Sequence, residues 1–191
     1  MGKLKGTETE KNLLAAFAGE SQARNRYTYF ASVAKQEGFE QISAIFQETA
    51  DNEKAHAKRF FKLLEGGEVE IQASYPAGII GDTAQNLKAA ADGELLEWGT
   101  LYKDSAAIAR KEGFERVARQ FDEIAKVEQH HEARYRKLLE NLKNESIFKK
   151  DQKVTWHCRN CGYVLEGAEA PKKCPACEHP QAFFQLKAEN Y

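Results

Sequence analysis

The chain has 191 residues, enough for one large domain or one domain plus a small module. Its residues are 42% hydrophobic and 30% charged, which allows a real core and excludes a disordered chain. Its 28 lysines and arginines against 29 acidic residues leave a net charge of -1. That balance excludes a nucleic-acid binder driven by phosphate contacts and a basic membrane-surface helix.

The opening MGKLKGTETE has no apolar core for a signal peptide, and Gly6 stands where a myristoylation motif needs Ser or Thr. No apolar run approaches the roughly 20 residues of a membrane-spanning helix. A cytoplasmic location is expected. A capping pattern, Thr7-x-x-Glu10, starts a first helix that runs to about Glu37 and breaks at Gly38. A second runs from about Glu40 to Glu65 and stops at Gly66-Gly67. Residues 68–81 form a long connection. A third helix starts near Asp82 or Thr83 and runs to Glu112, and a fourth runs from about Phe114 to Asn144. Short breaks make antiparallel neighbours, and one long middle connection makes a crossover. The expected fold is mainly α, a ferritin-like four-helix bundle over residues 1–148. Residues 149–191 change texture to short, aromatic, turn-rich sequence and form a second, small domain.

The bundle sequence repeats. Lys35-Gln36-Glu37-Gly38-Phe39-Glu40 recurs as Arg110-Lys111-Glu112-Gly113-Phe114-Glu115, and Phe46 to Ala50 recurs as Phe121 to Ala125, both at an offset of 75. Two similar helix pairs related by a pseudo-twofold axis are expected. The offset slips once. Ala18-Gly19-Glu20 matches Asp92-Gly93-Glu94 at 74, while Tyr27 matches Tyr102 at 75. Either the third helix carries one extra residue as a π-bulge, or the alignment has slipped in a simple sequence.

Each helix has an apolar stripe, and carboxylates interrupt it. The third stripe is read as Leu87, Ala90, Glu94, Glu97 and Leu101. Glu20, Glu53, Glu94, Glu97 and Glu128 fall on faces that should be buried. A buried carboxylate must be protonated, paired or metal-bound. The stripes place histidines beside them, not lysines. Glu53-x-x-His56 and Glu128-x-x-His131 each put a carboxylate and an imidazole one turn apart on one face. One such pair is weak evidence in a Glu-rich chain. Two at equivalent repeat positions, joined by a Glu from each other helix, make the ligand set of a di-iron carboxylate bundle. Glu97 breaks the symmetry, because its counterpart is Ala23. It is either a surplus ligand that lets one metal exchange partners or an exposed glutamate. Tyr27 and Tyr102 either hydrogen-bond ligand carboxylates or pack as core aromatics.

All four cysteines lie in Cys158-x-x-Cys161 and Cys174-x-x-Cys177, with none in the first 157 residues. A disulfide framework would staple the larger part, so these are four thiolates for a tetrahedral metal in a reducing compartment. Spacing alone does not separate zinc from iron. A domain of about 40 residues needs such a staple.

The chain as a whole resembles the rubrerythrin family. The residues that carry the likeness are GESQARNRY around Glu20, Glu53-x-x-His56, Glu94-x-x-Glu97, Glu128-x-x-His131, and the rubredoxin-like CxxCGY and CPxC knuckles. The resemblance implies iron at the cysteines. It implies two irons held by Glu20, Glu53, His56, Glu94, Glu97, Glu128 and His131, with Glu53 and Glu128 bridging. One iron is implied to move between Glu97 and His56 as the pair is oxidised and reduced. The implied activity is reduction of hydrogen peroxide, with electrons relayed through the Fe(Cys)₄ centre. No nicotinamide or flavin fingerprint is evident, so a separate NAD(P)H-dependent reductase, acting through a rubredoxin, is implied. Head-to-tail homodimers are implied too. Two readings compete: a ferritin-type ferroxidase or iron store, and a redox sensor with structural zinc at the cysteines.

Overall fold

The structure, a computed structural model, describes residues 3–189. Helix α1 spans Glu8–Gln36. Thr7 Oγ1 accepts the Glu10 N–H at 3.1 Å, and Glu10 answers on the Gly6 N–H at 2.6 Å. At its far end Gly38 takes φ 85°, and Phe39 N–H reaches back to the Ala34 carbonyl at 2.8 Å. That left-handed stop is natural only for glycine. Helix α2 spans Glu40–Phe61, ending short of the expected Glu65. Leu63 and Leu64 bond back only three residues, to Phe60 and Phe61, which winds the chain out of the helix ahead of the two glycines. Residues 68–82 carry no helix or strand.

The third expected helix is three pieces. Helix α3 spans Thr83–Leu96, opened by a capping box between Asp82 and Gln85. A π-turn covers Glu97–Leu101, and α4 continues over Tyr102–Lys111. The slipped offset is therefore a real inserted residue. It also corrects the stripe. Leu101, read as inward, is 47% exposed, and Tyr102 takes the inward place at 3%. One residue more per turn rotates everything after it. Helix α5 spans Glu115–Lys143, after a second glycine stop at Gly113 with φ 83°.

The pseudo-twofold is visible in contacts. Glu112, at the end of α4, accepts the Thr9 N–H at 2.9 Å and the Thr9 hydroxyl at 2.5 Å, at the start of α1. Its repeat partner Glu37, at the end of α1, accepts the Thr83 N–H at 3.0 Å, at the start of α3. Each helix pair thus satisfies free N–H groups of the other. Aromatic trios follow the same symmetry. Phe46 packs on Tyr135 with centroids 5.1 Å apart, and Phe121 on Phe60 at 5.0 Å. Tyr27 completes the first trio and Tyr102 the second. Two apolar clusters result, one around Phe30, Phe46 and Leu87, the other around Leu13, Phe60 and Phe121. The acidic layer lies between them.

The C-terminal part is a small antiparallel sheet in the order β2-β1-β3, with β1 Lys149–Cys158, β2 Val164–Glu169 and β3 Phe184–Leu186. Trp156 is fully buried in it and donates to the Gly167 carbonyl at 3.0 Å. The sheet module rests on the α1–α2 turn, where Phe39 and Phe148 stack at 6.2 Å. Among the described residues no helix is long and apolar enough to cross a membrane.

A Cβ at position 113 would meet nothing within 4 Å, and one at position 38 would meet Ala182 at an ordinary 3.7 Å. Replacing either glycine by alanine therefore costs backbone conformation alone, about 1–2 kcal/mol. Urea denaturation of Gly38→Ala and Gly113→Ala should show losses of that size, equal for the two. Clearly unequal losses would break the equivalence of the repeats.

Candidate metal centres

Helix α1 supplies Glu20, α2 supplies Glu53 and His56, α3 supplies Glu94, and α5 supplies Glu128 and His131. The four carboxylates are at most 1% exposed. They form two overlapping groups whose ligand atoms lie within 4.8 Å of one another: Glu20, Glu53, His56 and Glu128, then Glu53, Glu94, Glu128 and His131. Glu53 and Glu128 belong to both. His56 Nδ1 lies 2.9 Å from Glu53 Oε2 and 2.9 Å from Glu128 Oε1, with Glu20 Oε2 at 3.8 Å. His131 Nδ1 lies 2.8 Å from Glu128 Oε2, 3.2 Å from Glu53 Oε1 and 3.9 Å from Glu94 Oε1.

His56 Nδ1 and Glu53 Oε2 are hydrogen-bonded, but for most of these atoms proximity is not hydrogen bonding. Glu20 Oε2, Glu53 Oε1, Glu94 Oε2, both Glu128 oxygens and His131 Nδ1 are buried without a hydrogen-bond partner. Among the described residues no Lys or Arg forms an ion pair with these four carboxylates, only the two histidines. Orphaned buried carboxylates are costly unless a cation meets them. Four carboxylates match the charge of two divalent cations, and the mixed oxygen and imidazole donors suit iron. The residues fit a di-iron centre.

Tyrosines settle the outer oxygens. Tyr102 donates to Glu20 Oε1 at 2.5 Å, and Tyr27 donates to Glu94 Oε1 at 2.6 Å. Each glutamate so has one oxygen held by a phenol from the other helix pair and one left free for metal. Burial pushes both phenols well above the usual range, so they keep their protons and remain donors. Asn52 was not singled out from the sequence. Its Oδ1 lies 3.2 Å from His131 Nε2 and occupies the ring nitrogen opposite the ligand atom. Its only sequence signal was adjacency to Glu53. His130 is exposed, and Trp98 donates to Glu132 at 2.8 Å, away from the cluster.

Glu97 is not brought into either group. It opens the π-turn and lines a cavity of about 270 Å³ with Arg26, Tyr75 and Tyr102. His56 is in the cluster instead.

The cysteines form a second centre. Cys158 and Cys177 sulfurs are 3.8 Å apart, and Cys161 and Cys174 sulfurs 3.7 Å apart. A tetrahedral metal with bonds of about 2.3 Å needs sulfurs about 3.8 Å apart. No disulfide forms among them. Gly162 at φ 81° and Glu178 at φ 61° turn the two knuckles, and the Tyr163 and His179 backbone N–H groups point at Cys161 and Cys177. The His179 N–H is the main influence bringing the Cys177 thiol down to about 6. The four thiols suit iron as a rubredoxin-like centre.

Without metal the bundle has its own pH dependence. Burial and then neighbouring carboxylates raise Glu20 and Glu94 well above the carboxylate range. Burial opposes a charged His131, but the adjacent Glu128 and Glu53 carboxylates overcome that and hold it at about 9. All these groups gain protons on folding. The stability they add is complete below their unfolded pKa values and is lost as pH rises through the folded ones. Burial opposes an ionised Glu53 too, but the two histidines hold it at about 2, so its opposite trend is complete once pH exceeds 4.5. Chelated protein should therefore lose stability with rising pH, the His131 part falling between 6.5 and about 9. Iron-loaded protein should stay flat across that window. Melting curves against pH, with and without chelator, check both. A flat chelated curve would contradict the described cluster.

The comparisons agree with this two-part architecture. The family description "Rubrerythrin" matches residues 11–139, and "Rubrerythrin, rubredoxin-like domain" matches residues 156–185. Rubrerythrin of Porphyromonas gingivalis is 59% identical over 98% of this chain and 94% of its own. Rubrerythrin of Nitratidesulfovibrio vulgaris is 56% identical over 100% of both. Among solved structures, partially reduced nigerythrin has a TM-score of 0.63 at 28% identity, covering 97% of this chain and 92% of its own. A Desulfovibrio desulfuricans bacterioferritin shares the bundle fold, with a TM-score of 0.67 at 22% identity over 73% of this chain and 82% of its own. With both parts matched, and with a buried carboxylate–histidine cluster and a four-cysteine centre in one chain, the chain belongs to the rubrerythrin family.

Proposed function

We propose that this protein reduces hydrogen peroxide to water at the di-iron site, using electrons relayed through the Cys158, Cys161, Cys174 and Cys177 centre. One observation carries the reading: a buried carboxylate–histidine cluster and a four-thiolate centre share one chain. An iron store of ferritin type has no need of a tethered electron carrier.

The reaction takes one peroxide, two electrons and two protons and gives two waters. When bound, the iron pair supplies the two electrons and polarises both substrate oxygens. The chain's part is holding and orienting. Glu53 and Glu128 reach both metal positions and fix their separation. Tyr27 and Tyr102 lock the free oxygens of Glu94 and Glu20 toward the metals. Asn52 fixes the His131 ring. His56 and Glu97 would serve as alternative ligands for a metal beside Glu20; His56 is the one in the cluster in this arrangement.

The geometry also bears on the electron route. The sheet module rests beside Gly38, whereas Glu20 lies well back along α1. At 1.5 Å per residue the gap from Glu20 to the helix end is roughly 24 Å. A partner chain packed head to tail offers a shorter path. Ile79, Ile80, Leu96 and Leu101 are exposed apolar side chains available to such a homodimer. The electrons come from outside, through a rubredoxin or an NAD(P)H-dependent rubredoxin reductase. Four free cysteines fit a reducing cytoplasm.

Anaerobically reduced, metal-analysed protein should recover the thiolate-to-iron colour of the cysteine centre when hydrogen peroxide is added. If that band stays bleached while added ferrous iron and oxygen turn over, the relay fails and a ferroxidase replaces it. A colourless, zinc-filled centre would make the small domain structural. Tyr102→Phe keeps the ring and removes the bond to Glu20. It should lower peroxide turnover or iron affinity by about 10–100-fold. Steady-state rates and iron titration check it, with Phe60 packing preserving the fold.

A further inference from the structure

The two halves of the bundle share one ligand frame, so departures from symmetry around that frame point to function. Glu97 is one departure, standing opposite Ala23. Arg26 is another. At the offset of 75 that aligns Tyr27 with Tyr102, Arg26 aligns with Leu101. The extra carboxylate on the π-turn is thus matched by an extra guanidinium on α1. Both line the same cavity of about 270 Å³, closed on its outer side by the crossover residues Ala73, Tyr75 and Pro76.

Arg26 is built into place. Its guanidinium lies over the Tyr27 ring, 5.5 Å from the centroid, and Tyr27 is the phenol bonded to Glu94. Its Nε is buried with no hydrogen-bond partner. Gly93 leaves the room it needs, since a Cβ there would sit 3.3 Å from Nη2. The repeat counterpart Gly19 faces Tyr75 instead, at 3.9 Å, from the same cavity. Among the described residues Arg26 has no ion-pair partner, and the acid it shares the cavity with is Glu97. Burial and the acidic cluster work against ionised Glu97, while Arg26 works for it.

We propose that Arg26 is a positioning residue for Glu97, the cation toward which the carboxylate turns when His56 holds its place in the cluster. The inference rests on Glu97 being an alternative ligand. Arg26 then sets how readily Glu97 leaves the metal. A carboxylate on iron favours the ferric state, because the anion is held more tightly by the higher charge. Losing Arg26 frees Glu97 for the metal and lowers the di-iron midpoint potential.

The test is a double-mutant cycle read by redox titration of the iron-loaded protein. Arg26→Gln should lower the di-iron potential, and Arg26→Lys, which keeps the charge, should recover most of the shift. In a Glu97→Gln background the Arg26→Gln shift should fall to less than half. An equal shift in both backgrounds overturns the inference, because Arg26 would then act only as a distant charge. If Glu97→Gln alone leaves the potential and visible spectrum as in the parent, Glu97 is no ligand and the reading beneath falls too. Helical circular dichroism and the cysteine-centre band confirm folding. Gly93→Ala, which crowds the guanidinium, gives a second route and should shift the potential in the same direction as Arg26→Gln. No shift there, with the fold intact, also counts against the proposal.

Discussion

The organisation of this bundle follows from burying four carboxylates in its middle. No such layer is stable in a hydrocarbon interior without compensating positive charge. Among the described residues two largely buried imidazoles are the only cationic ion-pair partners of Glu20, Glu53, Glu94 and Glu128. The remaining charge is met by metal. The apolar clusters on either side then act as walls. Phe46, Tyr135 and Tyr27 close one side and Phe121, Phe60 and Tyr102 the other, excluding water that would weaken the metal–carboxylate attraction. Packing and binding are thus one arrangement. The aromatic trios that stabilise the helix crossings also carry the phenols that aim the acids.

The repeat supplies rigidity cheaply. Glu112 on Thr9 and Glu37 on Thr83 tie the end of one helix pair to the start of the other. The phenol bonds cross the same way, Tyr102 to Glu20 and Tyr27 to Glu94. Every ligand carboxylate on α1 and α3 is therefore held from the opposite half. A shift of one pair against the other would break caps and ligand bonds together, which keeps the metal positions at a fixed spacing.

Much of this is legible in the sequence because periodicity and repeat are one-dimensional signals. Glu53, His56, Glu128 and His131 fall on inward faces at helical spacing and do meet in space. The offset slip between Glu94 and Tyr102 marks the π-turn, since an added residue leaves a trace in any alignment of the halves. What a helical wheel cannot give is the rotation after that turn. It assigns Leu101 to the core, where the fold places Tyr102. Long-range partners are invisible for a different reason. The repeated Glu-Gly-Phe-Glu motif is plain, yet that its first glutamate caps a helix 103 residues away depends on tertiary placement. Asn52 and Arg26 sit among many polar residues, and only the fold distinguishes them.

The symmetric frame also shows where the two proposed metal positions differ. On the His131 side the imidazole is clamped, with Nδ1 toward the acids and Nε2 against Asn52. The repeat counterpart of Asn52 is Val127, which offers no hydrogen bond to His56. His56 also has the more exposed side chain, 13% against 5% for His131. The π-turn opens at Glu97 and places that residue in the lining of a cavity. Loss of a clamp on the imidazole and gain of a spare carboxylate occur together, beside one metal position and not the other. A strictly symmetric bundle would hold both metals equally tightly. On the proposed reading, breaking symmetry at a few positions leaves the shared acids Glu53 and Glu128 in place and offers one metal a choice between His56 and Glu97.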